Sequence, residues 1–170
     1  FSVEDRLPFA GGGFSGQACG SRIHDSGSRV LITMDSYWRN GTLVDHKANA
    51  DIAVRTAKEL GQDVDKVFVW QRYPGKYSAH TPMVSGRDFF MNDLLKDYHG
   101  QKVEAVALPS EGQLFLMYSS GTTGKPKGAQ HSIGGYLAYV TATSRWILDI
   151  HPEDTYWCMA DIGWITGHSY

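Results

Sequence analysis

The sequence predicts an α/β fold, with strands alternating with helices and parallel strand pairs. Two observations predict it. Short β-branched apolar runs alternate with segments of helical period. Three unusual loops, rich in glycine or tryptophan, follow or sit near the ends of those runs, where a parallel sheet holds its ligands. The length of 170 residues suits one domain, and 42% hydrophobic with 20% charged residues marks a globular chain.

Each element follows in order. Residues 1–16 are irregular and end in Gly11-Gly12-Gly13-Phe14-Ser15-Gly16. Residues 17–25 form a short helix, weakened by Gly20. Arg29–Thr33 (RVLIT) is a buried strand. Asp35–Thr42 is a polar loop. Asp51–Leu60 is a helix with Ile52, Ala53, Thr56 and Leu60 on one face, Asn49 as N-cap and Gly61 as its stop. Val67–Trp70 is the second strand, Tyr73–Gly86 a loop and Phe89–Tyr98 a helix. Leu114–Tyr118 (LFLMY) is the third strand. A glycine-rich loop leads from it to a second helical pattern, carried by Tyr136, Tyr139, Val140, Thr143 and Trp146/Ile147. Pro152 closes that helix, because proline disfavours helix in the residue before it. Tyr156–Met159 is a fourth strand running into Asp161-Ile162-Gly163-Trp164.

Composition excludes several classes. A formal charge of −2, from 16 basic and 18 acidic residues, gives no nucleic-acid footprint. No apolar run approaches the ~18 residues that span a bilayer, and residues 1–16 lack a signal peptide's basic start and apolar run. Cys19 and Cys158 form no CxxC pair and read as buried, reduced thiols of a cytoplasmic protein. The seven histidines show neither HxH nor HExxH spacing, so no metal site is expected. Phe1 is not Met, and the chain stops on an aromatic, glycine-rich stretch without a polar tail, so it reads as an internal piece of a longer protein.

Ser119-Ser120-Gly121-Thr122-Thr123-Gly124-Lys125-Pro126-Lys127-Gly128 carries the most chemistry. Its three glycines let the backbone approach closely and expose N–H groups to an anion. Its four hydroxyls donate to phosphate oxygens, its two lysines add positive charge, and Pro126 stiffens the exit. It is not a Walker A loop. Only Thr122 and Thr123 separate Gly121 from Gly124, and Pro126 follows Lys125 where Ser or Thr is required.

MYSSGTTGKPKGAQH resembles the signature loop of the adenylate-forming superfamily of acyl-CoA synthetases, luciferases and peptide-synthetase adenylation domains. HSIGGYLAY, DIHPED and YWCMADIGWITGHSY narrow the resemblance to the AMP-forming acetyl-CoA synthetases (acetate–CoA ligases). Upstream, Gly12–Ser15, Arg22–Asp25 and Val30–Thr33 are similar to the same enzymes in the same order. The resemblance implies that residues 1–170 are a single partial segment of the large, AMP-binding N-terminal domain, without the C-terminal domain.

The resemblance also implies roles. Lys127 is the catalytic lysine of the loop. Ser119, Ser120, Gly121, Thr122, Thr123, Gly124, Lys125, Lys127 and Gly128 hold ATP phosphates. Gly13, Arg39, Asn40, Gly41, Thr42 and Thr166 meet coenzyme A. Trp164, Ile165 and Thr166 line the acyl pocket, whose bulk suits a short acid such as acetate or propionate. Thr42 departs from the family, which has a second arginine there. ATP, Mg²⁺ and CoA are the implied cosubstrates, the rest of its own chain is the implied partner, and the cytoplasm is the implied location. The family's adenine segment, ribose-binding aspartate and second catalytic lysine lie downstream, so the piece alone is expected to be inactive.

Two other readings stay open. Gly11-x-Gly13-x-x-Gly16, with Asp35 closing the next strand, fits a dinucleotide fingerprint, although only Leu7-Pro8-Phe9-Ala10 precedes it as a strand. A nucleotide- or CoA-binding module without catalysis is the other.

Overall fold

A computed structural model describes residues 14–74, 81–119, 126–161 and 163–170. The described residues fall into two compact units, Phe14–Glu104 and Ala105–Tyr170.

In the first unit, helix α1 (Gly16–Ser26) starts where the Ser15 hydroxyl accepts from the Ala18 amide at 3.2 Å. It stops at Gly27, whose φ of 66° suits a residue without Cβ. Strand β1 (Val30–Met34) pairs in parallel with β4 (Lys66–Trp70), and β4 with β5 (Asp88–Phe90), giving the order β1-β4-β5. Helix α2 (His46–Glu59) packs on α1 at very close range. A Cβ on Gly20 would lie 2.6 Å from both the Ala53 carbonyl oxygen and the Thr56 Cβ. So Gly20, which lowers helix propensity, is what lets the two helices touch. Ile23, Ala53, Val54, Ala57, Val64, Val67 and Val69 form the core between helices and sheet.

Several sequence expectations are corrected. Asp35–Thr42 is not a loop: β2 (Ser36–Arg39) and β3 (Thr42–Asp45) form an antiparallel hairpin. Its turn is Asn40-Gly41, with φ of 49° and 77°, the positive values that match the twist of paired strands. The N-cap of α2 is Asp45, whose carboxylate accepts from the Ala48 amide at 2.9 Å, and not Asn49. The helix therefore begins five residues before the predicted Asp51, because its first turn is polar and has no apolar period. Phe89 and Phe90 belong to β5, since aromatic side chains suit the pleated surface beside β4. Only Met91–Leu94 (α3) and a 3-10 turn at Leu95–Tyr98 are helical there.

A charge cluster that sequence did not reveal ties α2 to β5. Lys47 is fully enclosed (0% exposed), and its Nζ lies 2.8 Å from both Asp51 carboxylate oxygens, 2.9 Å from Asp88 Oδ2 and 3.0 Å from the Pro82 carbonyl. Arg87 donates to Asp88 Oδ1 at 2.5 Å and to Asp51 Oδ1 at 2.7 Å. Burial alone raises the Asp88 carboxyl, but hydrogen bonds from Arg87, Lys47 and the Val84 amide hold it down at about 2.

In the second unit, β6 (Gln113–Ser119) pairs antiparallel with β7 (Lys127–Ser132). Sequence led from the glycine-rich loop straight to a helix; the structure puts a strand between them. Helix α4 (Ile133–Trp146) follows, with the Ser132 hydroxyl accepting from the Gly135 amide at 3.3 Å. Tyr156–Met159 forms no strand, because no described strand pairs its backbone there. Trp157 and Met159 stand 83% and 89% exposed. Helix α5 (Ile165–Ser169) ends the unit. Trp164, an acyl-pocket candidate, is 69% exposed at its start.

Among the described residues no helix is long and apolar enough to cross a membrane, and no three His, Cys, Asp or Glu side chains gather as a metal site. Cys19 and Cys158 are free and half-buried, not enclosed. Burial pushes the Cys19 thiol up, against the pull of Arg22.

Candidate nucleotide and acyl site

The β6–β7 pair places the ends of the phosphate-loop candidate. Ser119 and Lys127 are direct cross-strand partners, so the loop is the connection of a hairpin and both its ends are fixed by the ladder. Lys127 is exposed, which keeps its ammonium free to meet an anion. Ser120, Gly121, Thr122, Thr123, Gly124 and Lys125 lie outside the described residues. Gly128 faces Tyr118: a Cβ there would meet the phenol ring at 3.2 Å, so glycine lets that ring lie across the strand.

Behind the hairpin lies an aromatic and imidazole cluster. Phe115 on β6 stacks on His131 (centroids 4.7 Å apart) and meets Tyr136 and His168 edge-on at 4.9 and 4.8 Å. The Tyr136 hydroxyl reaches across from α4 to the last turn of α5. It lies 3.1 Å from His168 Nδ1 and 2.8 Å from Ser169 Oγ, and donates to the His168 carbonyl at 3.2 Å. Thr143 and the Tyr170 hydroxyl make a second link between α4 and the chain end. Burial pushes the His168 imidazole below its ordinary value, and nearby His131 pushes the same way. It is therefore neutral near pH 7.

These groups border a cavity of about 390 Å³, lined among others by His131, Ser132, Tyr136, Tyr139, Ile165 and Ser169. Of the acyl-pocket candidates, Ile165 lines this cavity; Trp164 and Thr166 do not. Thr166 is exposed, and its carbonyl accepts from the Cys158 thiol at 3.8 Å. His131 and Tyr136 were missed as site residues. Both sit in HSIGGYLAY, a stretch that carried the resemblance but suggested no role.

The coenzyme A candidates sit in the first unit. Arg39 and Thr42 are cross-strand partners at the tip of the β2–β3 hairpin, with Asn40-Gly41 as the turn, and all four are exposed. Gly13 lies outside the described residues, as does Gly11 of the dinucleotide fingerprint. Gly16 opens α1, and a Cβ there would lie 2.6 Å from the Asn49 carbonyl oxygen of α2. Asp35, the proposed ribose acid of that fingerprint, is 2% exposed, and its Oδ1 accepts from the Ser36 and Arg72 amides at 2.6 and 3.0 Å. It thus turns inward and presents no exposed carboxylate to a ribose.

The second unit thus carries an exposed lysine at the end of a strand ladder and, behind the hairpin, a cavity of about 390 Å³. The chain belongs to the AMP-binding enzyme family, whose pattern matches residues 10–170. It is 45% identical over 159 residues to the acetyl-coenzyme A synthetase of Pyrobaculum arsenaticum, covering 93% of this chain and 23% of that protein. To the acetyl-coenzyme A synthetase of Methanothrix thermoacetophila it is 44% identical over 160 residues, with 93% and 23% covered. To that of Escherichia coli K12 it is 43% identical over 159 residues, with 94% and 23% covered. The chain thus spans 23% of the length of the curated relatives it matches.

Proposed function

We propose that the protein containing this chain is an AMP-forming acetate–CoA ligase, and that residues 1–170 are part of its large N-terminal, AMP-binding domain. The observation that carries this reading is the similarity, over 93% of the chain, to proteins named acetyl-coenzyme A synthetase. Its substrates are ATP, taken with Mg²⁺ on its phosphates, coenzyme A and a short carboxylic acid, acetate or propionate. Its further partner is the remainder of its own polypeptide, and it works in the cytoplasm.

The reaction has two steps. An acetate oxygen attacks the α-phosphorus of ATP, giving acetyl-adenylate and releasing pyrophosphate. The CoA thiol, losing its proton, then attacks the acyl carbon and expels AMP. Lys127 and the loop amides offset charge on the departing pyrophosphate. The cavity beside Ile165 receives the acid, and its aromatic walls keep water from the adenylate.

Acetate-dependent exchange of pyrophosphate into ATP by the intact protein tests this reading. Exchange that Lys127→Ala lowers about a hundredfold, the usual scale for a lost transition-state donor, supports it. No exchange with acetate or propionate refutes it.

A further inference from the structure

We infer that Arg72 is a second phosphate-binding residue, acting with Arg39 across the β2–β3 hairpin on the nucleotide phosphates of coenzyme A. This rests on the reading above and adds a residue to it. Both arginines lie past the carboxyl ends of adjacent parallel strands, the edge where α/β sheets hold ligands. β1 ends at Met34 and turns through Asp35 into the hairpin, while β4 ends at Trp70, two residues before Arg72.

Asp35 joins these two exits. Its amide donates to the Trp70 carbonyl at 3.0 Å, and its carboxylate accepts from the amides of Ser36 and Arg72. Its carbonyl accepts from the His46 and Lys47 amides at 3.0 and 3.1 Å, which fixes the hairpin's return at the start of α2. The backbone of Arg72 is thus pinned to the base of the hairpin that carries Arg39 at its tip. Four strand residues at ~3.3 Å each put Arg39 about 13 Å from this node.

The charges agree. Arg29, Lys47, Arg87 and Lys96 each have a carboxylate partner. Arg39 and Arg72 are both exposed, and neither is paired with a described carboxylate. The Arg72 guanidinium carbon lies 5.7 Å from the Tyr73 ring centroid, a contact that leaves its N–H donors open. Planar, uncompensated guanidinium groups suit phosphates, and coenzyme A carries a diphosphate and a 3′-phosphate about one ribose.

The test compares coenzyme A with pantetheine, which lacks the nucleotide, in the intact protein. Arg72→Ala is expected to raise KM for coenzyme A about tenfold, with KM for pantetheine unchanged and Arg72→Lys in between. The acid-dependent exchange half-reaction, which needs no coenzyme A, controls for folding. An unchanged KM for coenzyme A, or an equal rise with pantetheine, overturns the inference. Calorimetric binding of coenzyme A separates it from the parent reading. If the wild type shows no exchange but Arg72→Ala weakens binding, the acid reading falls and the inference stands. If the wild type does not bind coenzyme A, both fall.

Discussion

In residues 14–104 a parallel sheet and two helices shut Ala53, Ala57, Val67 and Val69 away from water. In residues 105–170, Thr143 alone is buried among the described residues. The first unit holds together by helix-on-sheet burial and by an ionic cluster built around the enclosed Lys47 and Asp88. The second holds together by the β6–β7 ladder and by side-chain bonds that fasten α4 to α5. Its large apolar groups, Trp146, Trp157 and Met159, face outward. Enclosure and candidate site residues have separated: the well-packed unit holds the arginine-bearing hairpin, while the open unit carries the phosphate-loop candidate and the cavity.

The sharpest way to break this comparison is in the ionic cluster. Asp88→Ala leaves Lys47 buried with one carboxylate fewer and removes a partner of Arg87. It is expected to cost ~3–5 kcal/mol in denaturant unfolding of the intact protein. A loss below about 1 kcal/mol would place the unit's stability in the apolar core alone. Next is the helix contact: Gly20→Ala drives a methyl into α2 and is expected to cost ~1–3 kcal/mol, seen as faster amide exchange in α1 and α2. Wild-type exchange would mean that α1 slides freely. In the second unit, Tyr136→Phe removes a single hydroxyl and should cost only ~1 kcal/mol, with α5 amides losing protection while α2 amides keep theirs. Loss of protection in both units would show that they do not unfold independently.

Acid acts on both units. Asp88 is held at about 2 against an ordinary 3.8, so its contribution is complete above 3.8 and is lost as pH falls toward 2. His168 is depressed as well, so its neutral form favours the fold above the ordinary imidazole value, and that share is lost as pH falls through its lowered value. Carbon-detected titration of the two groups should give both below their ordinary values; an ordinary value for either removes its cause.

Much of the first unit was legible because burial wrote it as period. Arg29–Thr33 and Val67–Trp70 read as strands, and Ile52, Ala53 and Thr56 as a helix face. The hairpin was not read, although Asn40-Gly41 is a strong turn signal, because its strands are short and carry Trp and Arg where alternation was sought. Lys47 was invisible because lysine is almost never enclosed, and although Asp51 lies one helical turn away, its other carboxylate partner, Asp88, is distant in sequence. In the second unit β6 and α4 were legible. Tyr156–Met159 was misread because an apolar run states affinity for an interior without saying whether a strand waits beside it. At the candidate site, the loop composition carries the expectation of phosphate chemistry, whereas the joining of Arg72 to the hairpin depends on Asp35, a contact across 37 residues.

The quartet of Lys47, Arg87, Asp51 and Asp88 has a consequence for how this sequence can change. Two cations and two anions sum to zero, so any single replacement that alters charge leaves one unit of it uncompensated around the enclosed Lys47 and Asp88. Each first step is a loss, and a second, matching step restores what the first removed, so the effects of the two are far from additive. Lineages can leave this arrangement only in pairs of substitutions. Shuffled or randomised libraries of this region should accordingly return variants in which a cation and an anion of the quartet are kept together or lost together.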